Sequence, residues 1–116
     1  MINILVDEGY AFDFLSILDL KRKKNKECET SWLTCYNYLK NQFDSENWSI
    51  MINSEEYSNM MIANELTFNA VDKAKNNEVT AKYVDECNYK RYLAKKNFQD
   101  KFFSTELSEK KIGYNQ

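Results

Sequence analysis

Apolar residues along this chain recur with helical rather than alternating spacing. After an apolar lead-in at residues 1–6, Ala11, Phe14, Leu15 and Leu18 form an i, i+3/i+4, i+7 stripe, widened by Tyr10, Ile17 and Leu20. Asp7 stands where an N-cap is needed, and the run Lys21–Lys26 follows the stripe, where cations complement a helix C-terminus. A second helix, capped by Thr30 or Ser31, is predicted from Trp32, Cys35, Tyr36, Leu39 and Phe43. Residues 44–53 read as a connection with at most one helical turn, its Trp48 plugging the core.

Asn53 followed by Glu56 resembles a capping box and opens a third helix. Its face holds Tyr57, Met61, Phe68 and Val71, with Met60, Ala70 and Ala74 beside them. Asn76-Asn77 marks a break, because Asn tolerates the left-handed conformation at helix ends. A fourth helix is predicted from about 78 to 103, with Val84, Cys87, Ala94, Phe98 and Phe102 as its stripe and Tyr83 and Leu93 flanking it. Residues 104–116 read as a polar, frayed tail.

The third and fourth helices each exceed 20 residues and are joined by a short break, which makes them a long antiparallel hairpin. The expected architecture is therefore a single all-α domain, a four-helix up-and-down bundle. Composition supports that class. The chain has 116 residues, no Pro and only two glycines, whereas a β-rich fold normally spends both residues in its turns. Aromatic residues make up 15% of the chain, more ring surface than a small helical monomer readily hides. Some of it is expected at a subunit interface.

The absence of histidine excludes Ser-His-Asp and Cys-His catalysis. Cys28, Cys35 and Cys87 are one short of an all-cysteine zinc site and read as free thiols in a reducing compartment. Phosphate-cradling glycine motifs are missing. Catalysis would rest on carboxylates with Mg²⁺ or Mn²⁺. The candidate metal ligands are Glu65 and Asp72, seven apart on the third helix, and Asp85 and Glu86, early on the fourth. In its expected architecture alone the chain resembles the MazG-like nucleotide pyrophosphohydrolases, small helical Mg²⁺ enzymes. Their Glu-x-x-Glu mark occurs here only as Glu106/Glu109, in the tail with no Glu-x-x-Asp after it.

The segment around Gly9 is the other candidate site. It places a glycine in the first turn of a helix, at about 1 kcal/mol against Ala. A ligand or another backbone approaching closely would explain it. Asp7, Glu8, Gly9, Tyr10 and Asp13 are the candidate ligand-binding residues.

Net charge is −2, and acids interrupt the lysines of the fourth helix, so nucleic acid is not an expected partner. The N-terminus lacks the basic region of a signal peptide, and no apolar run approaches a membrane span. The expectation is a cytoplasmic protein, and the Asn, Lys, Ile and Tyr richness points to an AT-rich bacterial or phage genome.

Three functions remain in view. The first is a non-enzymatic interaction module without a cofactor, a homodimer built on the third and fourth helices or a receptor for a helical partner. The second is a Mg²⁺- or Mn²⁺-dependent nucleotide or phosphate-ester hydrolase. The third is a ligand or nucleic-acid binder using tyrosines and Lys21–Lys26.

Overall fold

The computed structural model describes residues 1–103, and within them all regular structure is helical. Five helices occur in the order α1 (Glu8–Lys24), α2 (Glu29–Lys40), α3 (Ser45–Ile52), α4 (Glu55–Lys75) and α5 (Ala81–Phe102). A single 3₁₀ turn at Lys26–Cys28 leads into α2. The expected frayed tail lies outside the described residues.

Helix starts follow from local chemistry. Asp7, Asp44, Ser54 and Thr80 adopt extended backbone, and each accepts from the backbone N–H three residues on. The distances are 2.7 Å at Tyr10, 2.8 Å at Asn47, 3.0 Å at Tyr57 and 3.1 Å at Tyr83. Each satisfies an amide that the first helical turn leaves without a partner. Helix α2 has no such cap, because the 3₁₀ turn feeds directly into it, so neither Thr30 nor Ser31 serves. Asn76 ends α4, and Asn77 carries the positive φ of 58° that reverses the chain.

Three further sequence expectations are corrected. Residues 45–52 form a full helix, so the described residues hold five helices rather than four. Its apolar residues run consecutively from Ile50 to Ile52, which hides the helical period. Trp48 nonetheless plugs the core as expected. The N-cap of α4 is Ser54, while Asn53 closes α3. The buried face of α1 is turned from the predicted stripe. Phe12 and Leu15 are fully buried with Ser16, and Phe14 lies 50% exposed.

Helices α4 and α5 pack along each other, with Glu56 near Lys101 at one end and Asn64 against Arg91 further along. Helix α1 packs against both members of this pair, its contacts running from Tyr57 to Phe68 along α4 and from Gln99 to Arg91 along α5. Rings dominate the core where α1 begins. Phe12 lies 4.7 Å from Phe98, 5.6 Å from Trp48, 5.8 Å from Phe43 and 6.3 Å from Tyr57, centroid to centroid. Helix α2 seals this end with Leu39, Tyr36 and Trp32. The opposite end of the α4–α5 pair, from Val71 to Glu86, is exposed at most positions. No helix among the described residues is long and apolar enough to cross a membrane.

Candidate functional site

The first turn of α1 is held against α5. The Gly9 backbone N–H donates to Oε1 of Gln99 at 2.6 Å, and Nε2 of Gln99 donates to Glu8 at 3.0 Å. A Cβ on Gly9 would lie 3.0 Å from the Lys95 carbonyl oxygen and 3.1 Å from Cβ of Gln99. The scarce glycine is therefore explained by close approach of another backbone, and that backbone belongs to this chain. Asp7 is engaged as the cap of α1. Tyr10 faces outward, half exposed, with the Lys95 ammonium 5.1 Å from its ring centroid.

One turn further along α1, a polar network joins three helices. Asn64 donates from Nδ2 to Asp13 at 2.9 Å and to the Ser16 hydroxyl at 2.6 Å, while that hydroxyl donates to the Asp13 carbonyl at 2.7 Å. Arg91 donates from Nε to Oδ1 of Asn64 and from Nη2 to Asp13 at 3.3 Å. Asp13, Ser16 and Asn64 are all buried, so each polar atom must find its partner inside the protein. Asp13 was legible as a candidate. Asn64, Ser16, Arg91 and Gln99 were not, because nothing in the local pattern marks a polar residue whose partner is remote in sequence.

Beside this network a cleft of about 330 Å³ opens between α1, α4 and α5. Ile17, Leu20, Phe68 and Val71 give it apolar walls, and Asn64 and Arg91 line it on the network side. Lys75 and Asp72 also line it, and the Lys24 ammonium stands 4.9 Å from the Phe68 ring centroid. Phe68 and Val71 line this cleft instead of the helix-packing core.

The structure does not gather the four candidate metal ligands. Glu65, Asp72, Asp85 and Glu86 are all exposed, and among the described residues no three His, Cys, Asp or Glu side chains come close enough to hold a metal ion. Glu65 does not take the partner available to its neighbour, since Arg91 turns to Asn64 and Asp13.

Ionisation is shifted at a few positions. Burial pushes the Tyr57 hydroxyl far above its usual range, and burial also raises the Cys35 thiol. Glu56 is held below the usual carboxylate range, first by its own backbone N–H at the start of α4 and then by Lys101. None of these groups lies in the cleft lining. Compared with known proteins, the chain matches no family model, no curated protein and no solved structure.

Proposed function

We propose that this chain is a non-enzymatic interaction module that pairs with a second copy of itself. The observation that carries the reading is a run of uncovered apolar side chains at the start of the chain. Met1, Ile2, Ile4 and Leu5 are 77–121% exposed, and Tyr10 and Phe14 in the first turns of α1 are half exposed. Large apolar side chains left uncovered in one stretch of a small domain are the surface expected of an interaction site. A two-fold pairing covers the same patch on both copies at once, which makes a second copy the simplest occupant. Outside the cleft between α1, α4 and α5, the exposed large apolar residues of α4 and α5 are Ile62 and Tyr83, so the arm and α1 supply the contact.

Sedimentation velocity over a wide concentration range tests this. A dimer is expected for the native chain, and a monomer with unchanged helical circular dichroism for the double variant Ile4→Asp, Phe14→Glu. A native chain that remains a folded monomer at the highest concentration overturns the reading.

A further inference from the structure

We propose that the cleft between α1, α4 and α5 binds a small carboxylate with an apolar tail, with Arg91 receiving the headgroup. This site is separate from the self-association surface and does not depend on it.

Arg91 lines the cleft on the side of the polar network. A guanidinium has five N–H donors in a rigid plane. One is taken by Asn64, one by Asp13 at 3.3 Å and one by Asn88 at 3.5 Å. Two remain without a partner among the described residues, one on each terminal nitrogen. The bonds to Asn64 and Asp13 bias the orientation of the plane before any ligand arrives, so binding costs less ordering of this long side chain. Paired N–H groups on a fixed plane match the two oxygens of a carboxylate.

The walls supply the second half of the recognition. Ile17 and Leu20 from α1 and Phe68 and Val71 from α4 present hydrocarbon to the same space. A volume of about 330 Å³ lies at the small end of the range for small-molecule sites, about 300–1,000 Å³. Charge at the rim favours an anion. Lys75 lines the cleft, Lys24 stands over the Phe68 wall, and Asp72 is the one acid in the lining. The buried carboxylate of Asp13 is engaged by Asn64 and Arg91 from behind. A neutral apolar molecule would offer the Arg91 cation at the cleft wall no counter-charge, and an alkylammonium would meet Arg91, Lys75 and Lys24 with like charge. The chemistry therefore selects a monoanion with a hydrocarbon body of medium size.

Octanoate, octan-1-ol and octylammonium, equal in chain length and differing in headgroup, are the probes. Each is titrated into the ¹⁵N-labelled full-length chain and followed by amide chemical shifts. The expected result is saturable movement at Ile17, Leu20, Phe68 and Val71 with octanoate, at an affinity about tenfold above octanol, the scale of one charge-assisted hydrogen bond. Arg91→Gln is expected to remove that preference. Because Arg91 also holds Asp13, Val71→Asp on the exposed wall and Lys75→Gln at the rim serve as variants that leave the polar network intact. The first should abolish binding, and the second should weaken octanoate without affecting octanol. Equal affinity for octanoate and octanol, stronger binding of octylammonium, or octanoate shifts centred away from these residues would each overturn the proposal. Repeating the titration on Ile4→Asp, Phe14→Glu separates this site from self-association, since octanoate binding should persist there.

Discussion

Gly9 and Gln99, 90 residues apart, meet through a 2.6 Å hydrogen bond from the glycine N–H to the glutamine side-chain oxygen. Two effects oppose each other at Gly9→Ala. Alanine would gain about 1 kcal/mol of helix propensity. Its Cβ would press on the Lys95 carbonyl oxygen at 3.0 Å, a backbone atom that cannot swing aside. Overpacking of that kind costs about 1–3 kcal/mol, so a net loss of about 1 kcal/mol is expected. Thermal unfolding of the variant should show a midpoint several degrees lower. A raised midpoint would mean that α1 slides off α5 without penalty.

The network around Asn64 is expected to be more sensitive than any exposed charge. Asn64→Leu keeps much of the volume but takes partners from Asp13, Ser16 and Arg91 together. A loss of about 2–4 kcal/mol is expected, from buried polar groups left short of hydrogen bonds. Urea unfolding measures it. Glu65→Leu, one residue along on the exposed side, should change stability by no more than about 0.5 kcal/mol.

Phe12 and Phe14 test which face of α1 is buried. Phe12 is fully buried among Phe43, Trp48, Tyr57 and Phe98, and its truncation to Ala should cost about 3–5 kcal/mol. Phe14 is half exposed, and Phe14→Ala should leave the monomer's stability within about 0.5 kcal/mol. Denaturation below the association concentration compares the two. Equal losses would contradict this orientation of the helix.

Glu56 gives a pH signature. Its folded pKa lies below the ordinary glutamate value, so its contribution is complete above that ordinary value. The contribution is lost as pH falls through the depressed folded value. Glu56→Gln should therefore flatten the acid limb of the stability curve and leave the alkaline limb unchanged. A parallel displacement of the whole curve would show that the carboxylate's charge is not involved.

Much of the helix order was legible because the capping residues at Asp7 and at the Asn76-Asn77 break stand where the apolar spacing begins or ends, while α2 and α5 were legible from apolar spacing alone. The buried face of α1 was not, and Asp13 and Ser16 show why. Both are polar yet buried, because Asn64 and Arg91 satisfy them from positions 48–78 residues away. A period count credits apolar residues to the core and treats such positions as solvent-facing, which turned the predicted face toward Phe14. Helix α3 was hidden by its brevity, eight residues being too few to establish a period. Gly9 was legible as a point of close approach, but its partner depended on how α1 lies across α5. The cleft was invisible for the same reason. Phe68 and Val71 read as core, and that they border open space depends on how α1 packs against α4 and α5.

The crowding of aromatic rings at one end of the α4–α5 pair sets up a gradient of local unfolding along the molecule. Amide hydrogens near Phe12, Tyr57 and Phe98 should exchange only when the whole chain opens, whereas those from Val71 to Val84 are held by far fewer buried side chains. The cleft lies towards the faster-exchanging end, with Val71, Asp72 and Lys75 in its lining. Anything that settles there clamps the part of the protein most ready to come apart, so occupancy would register as slowed exchange in that segment before it altered the midpoint of global melting.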